Sequence, residues 1–354
     1  MHKSLKWYLF PALAIVCILT GWQGIFAYPG GTERDYLTSR TGISVVESMT
    51  PVVTAADTGI SEIDSSESPA PGAYPSLSKT AGYSPRETDV RLFWLSERIA
   101  EIQSVSVLNG HDPVIVAVLD TGIDKYHEDL DGAVIAEVNF TDSPTTDDIY
   151  GHGTHVSGII AAGNDNDIGI DGIAPGVRLI NVKVADDRGR CRLTALAEGI
   201  VWAVENGAQV INISIEMQES SSVLQEAIDY AWENGAIIIA AAGNGGISTP
   251  VYPAGYDNCI AVTALKDNGE LAPLANYGDW VDAAAPGFNI YSTLPGDEYG
   301  YKYGTSFAAA YVSGLSALLF PLMEDTNGNG RVNDEVRQAI LTIYGSEIIN
   351  NSAE

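Results

Sequence analysis

Five short apolar runs, separated by helical patterns, constrain the fold of this chain more than any other feature. The runs cover residues 113–120, 178–185, 208–215, 236–243 and 259–265. The segments between them, such as LTALAEGIVWAVENG and SSVLQEAIDYAWENG, carry apolar residues at helical spacing and end in Asn-Gly. Strands that are apolar on both faces and alternate with helices predict an α/β, doubly wound and mainly parallel sheet with helices on both faces.

The polar residues that end these runs are the first candidates for function. In doubly wound folds the functional groups gather at the carboxyl ends of the strands. Here those positions are Asp120, Asn244 and the segment Ser214–Glu216. We therefore expect these residues to lie at one edge of the sheet.

Length and charge set further limits. The chain has 354 residues, 45% of them hydrophobic, which is enough for one large domain or two ordinary ones. Its 46 acidic residues against 18 basic ones give a formal charge of −28. Such a charge argues against nucleic acid or an anionic membrane surface as a partner, and it is suited to solubility or cation binding.

The chain divides into three parts. Residues 1–27 combine a basic start with an apolar run, the pattern of an export signal or of an uncleaved membrane anchor at residues 8–27, although a buried helix is an alternative. Residues 28–88 are rich in Ser, Thr, Pro, Gly and acidic residues, which predicts a flexible linker or a short pro-region. A single domain is expected from residue 89 to residue 354.

Two further features leave alternatives open. Cys191 and Cys259 either form a disulfide in an oxidising compartment or remain two separate buried thiols. The stretch EDTNGNGRVNDEVRQAIL is spaced like a calcium loop, but its twelfth position is Val336, where a bidentate acid is needed. It is better interpreted as a turn before a helix that has Asn333 as its N-cap.

A nucleophile, a base and an orienting acid each stand beside glycine. Asp120 ends a strand in VLDTGID, His152 begins a small-residue helix in GHGTHVSGI, and Ser306 begins another in GTSFAAAYVSG. Taken singly, Ser306 is an ordinary helix cap, and Asp120 and Asn244 are ordinary turn residues. Taken together with a histidine, they indicate nucleophilic catalysis. His155 is expected to be a hydrogen-bonded core histidine.

The order Asp, His, Ser with these flanks resembles the subtilisin family of serine endopeptidases, from about Asp89 to about Leu341. The resemblance implies that Ser306 attacks the scissile carbonyl, that His152 takes and returns the proton, and that Asp120 holds the imidazole. It also implies that Asn244 and the Ser306 backbone N–H stabilise the oxyanion, with no catalytic metal. Residues 89–354 would then be the peptidase domain.

The resemblance further implies that an extended protein or peptide substrate binds as an added strand. One flanking segment would consist of Gly189, Arg190 and Cys191, and the other of Ser214, Ile215 and Glu216. Val251 would form the floor of the primary pocket. The chain departs from the family pattern at Glu216, Val251 and Ala310. A valine would shorten the pocket, and the Glu216 carboxylate would either attract a basic substrate residue or point to solvent.

The loop NDNDIGIDGIAP resembles the family's calcium loop, and the alternative is an acidic solvated turn. The ligands implied for a structural Ca²⁺ are Asp129, Asn164, Asn166, Ile168 and Ile170. The leading hypothesis is therefore an exported, calcium-stabilised and monomeric serine endopeptidase. A dedicated processing protease and a pseudoprotease that binds peptides without cutting them are the alternatives.

Overall fold

The computed structural model describes residues 52–54, 102–103, 113–164 and 168–344. Its strands are β1 (Val52–Thr54), β2 (Ile115–Asp120), β3 (Val134–Asn139), β4 (Arg178–Lys183), β5 (Arg190–Arg192), β6 (Val210–Ile213), β7 (Ile237–Ala241), β8 (Cys259–Leu265), β9 (Ala283–Pro286), β10 (Ile290–Leu294) and β11 (Glu298–Lys302). Its helices are α1 (Gly153–Ala161), α2 (Leu193–Glu205), α3 (Ser222–Glu233), α4 (Thr305–Leu319) and α5 (Asn333–Tyr344). The expected export signal or anchor at residues 1–27 lies outside the described residues.

A seven-stranded sheet in the order β3-β4-β2-β6-β7-β8-β9 forms the centre of the fold. Every neighbouring pair in it is parallel. The five apolar runs became β2, β4, β6, β7 and β8, and the predicted α/β fold is confirmed. The two edge strands were not predicted, because β3 alternates exposed and half-buried positions and β9 has only four residues.

The helices cover both faces of the sheet, as expected. Helices α1, α4 and α5 contribute to one hydrophobic cluster, and α2 and α3 contribute to the other. Helices α2 and α3 end at Asn206 and Asn234, and each is followed by a glycine with φ near +82°. A left-handed residue directly after the last helical turn is a common helix end and favours glycine, so the Asn-Gly pairs mark these ends as predicted.

Helix α4 lies in the interior of the protein. Together with the short turn that follows it, the span Thr305–Leu322 is long and apolar enough to cross a membrane by length and composition, but most of it is buried within the fold. Its small residues allow this position, since a Cβ added to Gly314 would lie 2.7 Å from Cβ of Ile173. Ala310, where the resemblance implied proline, is fully buried.

Three smaller features bear on the earlier expectations. Within the described residues Cys191 and Cys259 are separate, buried free thiols, and burial raises the pKa of both. Strand β1 lies within the segment 28–88 and pairs antiparallel with β5. The C-terminal stretch forms the expected turn, in which Asp325 accepts hydrogen bonds from three backbone N–H groups. The expected N-cap was wrong, because α5 begins at Asn333 itself and Val332 precedes it. Among the described residues Asn333 Oδ1 accepts no hydrogen bond, and its Nδ2 donates to the carbonyl of Trp232.

Candidate active site

The fold brings the predicted acid and base into direct contact. Asp120 is the last residue of β2, and His152 immediately precedes α1. The His152 Nδ1 atom lies 2.8 Å and 2.9 Å from the two carboxylate oxygens of Asp120. The backbone N–H of Thr121 donates to Asp120 Oδ1 at 2.7 Å. The carboxylate therefore holds the imidazole ring by Nδ1, and the other ring nitrogen, Nε2, is left for other contacts.

Glycine at position 153 makes this contact possible. A Cβ added to Gly153 would lie 2.1 Å from the carbonyl oxygen of Gly122 and 3.0 Å from Cβ of Asp120. The former distance is shorter than any contact that a side chain could make. Only glycine lets the first turn of α1 approach the end of β2 so closely.

Ser306 lies in the first turn of α4, beside the histidine. The His152 ring packs against Phe307, the residue after Ser306, with ring centroids 5.5 Å apart. Ser306 Oγ and His152 Nε2 are both buried, and neither has a hydrogen-bond partner among the described residues. The two atoms do not hydrogen-bond to each other in this structure. Such bonds commonly tighten only when a substrate is bound.

Asn244, on the loop after β7, contacts the start of α4. Its Oδ1 atom accepts the backbone N–H of Thr305 at 3.0 Å, which orients the side-chain amide. Its Nδ2 atom is buried and has no partner in the described part of the chain. The backbone N–H of Ser306 lies in the first turn of α4, where helix N–H groups have no partner within the helix. Two candidate donors are thus found at the start of α4, the Asn244 amide and the Ser306 backbone N–H.

A buried asparagine that was not identified from the sequence supports the Asn244 loop. Asn276 Oδ1 accepts the N–H groups of Gly245 and Ile247, and its Nδ2 donates to the carbonyl of Ala242 at 2.7 Å. Its partners are about thirty residues away in sequence, so no local pattern indicates this contact. The loop is therefore held on both sides of Asn244.

The first of the two segments expected to flank substrate is β5, together with the residue before it. Gly189 has φ +71°, Arg190 forms an ion pair with Asp186, and Cys191 is fully buried. Strand β1 pairs with this segment, with Val53 opposite Cys191. The backbone of β5 is thus able to pair with an added antiparallel strand.

The second segment follows β6 and joins the expected pocket floor. Ser214, Ile215 and Val251 are buried. Met217 and Tyr252 exchange two backbone hydrogen bonds of 2.7 Å and 2.8 Å. These bonds bring the ends of the two segments together, so that Val251 and Glu216 belong to one region of the structure.

The Glu216 carboxylate points toward the Asn244 loop rather than into solvent. Its Oε2 atom accepts the backbone N–H of Asn244 at 3.2 Å. It also occupies the space that a side chain at position 243 would need, since a Cβ on Gly243 would lie 2.1 Å from it. Burial raises the pKa of Glu216, and the hydrogen bond from Asn244 opposes that shift.

This raised pKa predicts the effect of Glu216→Gln on stability. Folding favours the protonated form, so the stability that Glu216 contributes is present below its unfolded pKa and is lost as pH rises through the folded value. Glutamine keeps an acceptor for the Asn244 N–H and carries no charge. At pH 8 we expect the melting temperature of the variant to be a few degrees higher than that of the wild type, since each kcal/mol of stability regained raises it by about 2–4 °C. Near pH 4 the two proteins should melt at the same temperature. Thermal denaturation at both pH values measures this.

Glu219→Gln, at an exposed position, is the control for this prediction. An equal gain in melting temperature in the control would show that net charge alone is responsible.

Four of the five residues expected to bind calcium are described, and Asn166 lies outside the described residues. Asp129 is buried and accepts the N–H of Ile170 at 2.9 Å. A Cβ on Gly169 would lie 2.1 Å from Asp129 Oδ2, so the loop packs directly on this carboxylate. Asn164 and Ile168 are exposed on the same loop. A buried carboxylate under a polar loop fits an oxygen-binding cation.

His155 has the structural role expected for it. Its Nε2 atom lies 3.1 Å from the carbonyl of Gly300, and its ring packs on Phe307. Burial lowers the pKa of His155 to about 3, which leaves the ring neutral at ordinary pH. It is a core histidine and does not contact Asp120.

The comparisons with known proteins agree with this geometry. The family model described as "Subtilase family" matches residues 111–351. The chain is 44% identical over 235 residues to a thermophilic serine proteinase of Bacillus sp. (strain AK1), covering 66% of this chain and 57% of that protein. It is 41% identical over 226 residues to thermitase of Thermoactinomyces vulgaris, covering 64% of this chain and 78% of the relative. It is 39% identical over 246 residues to subtilisin BL of Lederbergia lenta, covering 68% of this chain and 90% of that protein.

A doubly wound parallel sheet in which an Asp at the end of a strand contacts a His at the start of one helix, with a Ser at the start of another, is an arrangement typical of the serine peptidase class. The match covers more than half of the chain and lies within the domain expected from residue 89 onward. The chain belongs to the subtilase family. The match spans little more than half the length of the Bacillus proteinase.

Proposed function

We propose that this chain is an exported serine endopeptidase that uses Ser306, His152 and Asp120. Ser306 Oγ attacks the scissile carbonyl carbon while His152 Nε2 takes the hydroxyl proton. The tetrahedral intermediate collapses, the amine leaves with the proton from His152, and water then hydrolyses the acyl-enzyme by the same route. Asp120 orients the ring and stabilises its charged form.

The observation that carries this proposal is the pair of unpartnered atoms, Ser306 Oγ and His152 Nε2. Buried polar atoms normally have a hydrogen-bond partner, and those that do not call for an explanation. Here the Nδ2 atom of Asn244 is also unpartnered, and the Asn244 Oδ1 accepts the N–H of Thr305, the residue before Ser306, so this amide belongs to the region at the start of α4. A tetrahedral oxyanion, which needs donors placed in advance, would occupy that region.

A fluorophosphonate probe tests the reaction directly. The probe phosphonylates a serine only when a base activates the hydroxyl, so we expect covalent labelling of Ser306, located by peptide mass spectrometry. Labelling should be lost in Ser306→Ala. Folded protein that takes up no label would instead support the pseudoprotease, which binds extended peptides without cutting them.

For substrate binding, we propose that an extended peptide pairs with β5 in place of β1. The β1–β5 pairing supports this, because it shows that the β5 backbone can accept an antiparallel strand. Buried Val251 shortens the primary pocket, and the Glu216 carboxylate adds negative charge beside it. Small or basic residues at the cleavage position are therefore favoured, which suits selective processing. A peptide library cleaved mainly after large aromatic residues would contradict this specificity.

A structural calcium ion is proposed at Asp129 and the loop of residues 164–170. A ligand that binds only the folded state at 100 times its dissociation constant adds about 2.7 kcal/mol of stability. We therefore expect a chelator to lower the melting temperature by roughly 5–10 °C. Asp129→Asn should abolish the chelator effect, and Asp131→Asn, at an exposed neighbouring position, should leave it unchanged. A chelator effect that survives in Asp129→Asn would place the cation elsewhere.

Export is proposed from the N-terminal pattern, which lies outside the described residues. The small residues near Ala27 predict cleavage close to that position if the segment is a signal. N-terminal sequencing of protein recovered from the culture medium tests this. Protein that stays with the membrane and retains residues 8–27 would instead indicate an anchor.

A further inference from the structure

A buried carboxylate that the proposed reaction does not use lies between β2 and α1. Asp148 is 2% exposed and accepts four hydrogen bonds of 2.8 Å each. Its Oδ1 atom receives the Thr121 hydroxyl and the Gly151 N–H. Its Oδ2 atom receives both the N–H and the hydroxyl of Thr154. Each oxygen thus accepts one backbone N–H and one hydroxyl.

On one side, these bonds reach the acid of the proposed triad. Thr121 follows Asp120, and its N–H donates to Asp120 Oδ1 at 2.7 Å. The Thr121 hydroxyl donates to Asp148 and also accepts the N–H of Gly153 at 3.1 Å. The end of β2 and the start of α1 are therefore joined through one hydroxyl.

On the other side, the hydrogen bonds of Asp148 reach the backbone on both sides of His152, the proposed base. Gly151 immediately precedes His152, and Thr154 follows it by two residues. Because Asp148 accepts the N–H groups of both, it fixes the backbone before and after the histidine. The carboxylate also lies at the N-terminus of α1, where negative charge is favourable.

We propose that Asp148 is a positioning residue that sets the His152 ring against Asp120 and toward Ser306. This role rests on the proposed function. Asp148 accepts its four hydrogen bonds from Thr121, Gly151 and Thr154, and none from the side chain of Asp120, His152 or Ser306. It acts by tying the residue after Asp120 to the residues on both sides of His152.

The bonding pattern requires a carboxylate rather than any polar side chain of the same shape. A hydroxyl can rotate to become an acceptor, but a backbone N–H cannot. Both Asp148 oxygens accept a backbone N–H, so the amide nitrogen of an asparagine would face either Gly151 or Thr154. Asp148→Asn therefore disturbs the backbone beside His152 whichever way its amide points.

The test compares Asp148→Asn with wild-type protein on a chromogenic peptide and on a small fluorophosphonate. We expect kcat and the labelling rate of Ser306 each to fall by about 10- to 100-fold, since a misplacement of about 1 Å can cost 10²-fold. KM should stay within about twofold, because the hydrogen bonds of Asp148 come from residues outside the two segments proposed to flank the substrate. The small probe makes the result independent of the peptide subsites.

Two comparisons separate positioning from general destabilisation. Asp325→Asn is the matched control, because both oxygens of Asp325 also accept backbone N–H groups, all from its own surface loop. It should leave kcat unchanged. In a His152→Ala background, Asp148→Asn should reduce the residual peptidase activity by less than twofold, because the ring that it positions is absent.

An unchanged kcat in folded Asp148→Asn would overturn the proposal, and so would an equal loss in the His152→Ala background. If Asp148→Asn does not fold, Thr121→Val removes the same link and should lower kcat by a similar factor, while Thr121→Ser should restore it. Equal kcat in those two variants would also overturn the proposal. Wild-type protein with no activity would refute the proposed function itself, a result distinct from an active enzyme that is indifferent to Asp148.

Discussion

Replacing Ser306 by alanine is expected to lower kcat by about 10⁶-fold, a magnitude taken from subtilisin, a member of the same family, rather than from this structure. In the proposed mechanism, the change removes the atom that forms the covalent bond to the substrate. Folding should be preserved, because the lost hydroxyl has no partner among the described residues and alanine suits the interior of α4. Hydrolysis of a chromogenic peptide, with circular dichroism as the check on folding, measures the effect.

Ser316→Ala supplies the matched control for this experiment. Ser316 is a buried serine in the same helix, and its hydroxyl donates to the carbonyl of Val312 one turn earlier. Its loss should leave kcat within about threefold, since a neutral hydrogen bond of this kind contributes only about 1 kcal/mol to stability. Full activity in folded Ser306→Ala would overturn the assignment of the nucleophile and would require another serine or a different chemistry.

Asn244→Ala is expected to reduce kcat by about 10²- to 10³-fold with little change in KM, again a magnitude known from subtilisin. The Asn244 amide can donate to the oxyanion, which exists only in the transition state and the tetrahedral intermediate. Ground-state binding does not use this bond, and the loss should therefore appear in kcat. Steady-state kinetics on one peptide substrate separates the two parameters.

Asn244→Asp sharpens the same prediction. Aspartate can still accept the Thr305 N–H, so the loop should keep its conformation. The second oxygen, however, would place an acceptor and a negative charge where the oxyanion needs a donor. We expect activity at or below that of the alanine variant. A variant that retained wild-type kcat would show that Asn244 does not contribute to the oxyanion site.

The central strands, two helix ends and the site candidates could be predicted from the sequence, because each follows from a local pattern. The central strands are continuous apolar runs because helices cover both of their faces, and the Asn-Gly pairs mark the ends of α2 and α3. The candidates Asp120, His152 and Ser306 stand out because glycine and small residues surround each of them. The structure places the first two in contact and the third beside them.

What could not be predicted depends on contacts between distant segments. Asn276 and Asp148 look like ordinary loop residues, and their importance lies in backbone groups that only the fold places around them. The direction of the Glu216 side chain was left open between substrate and solvent, and in the structure its carboxylate accepts the N–H of Asn244, a contact that no local pattern indicates. The hairpin of β10 and β11 was missed because its polar and aromatic residues carry no continuous apolar run.

The position of α4 has a consequence for the proposed activity. All eleven described strands precede Ser306 in the chain, and Asp120 and His152 lie near the start of the described domain. During synthesis the proposed acid and base therefore appear long before the proposed nucleophile. With Ser306 as the nucleophile, hydrolysis requires α4 to be synthesised and packed in the interior, so a chain that ends before α4 would be unable to cut itself or its neighbours.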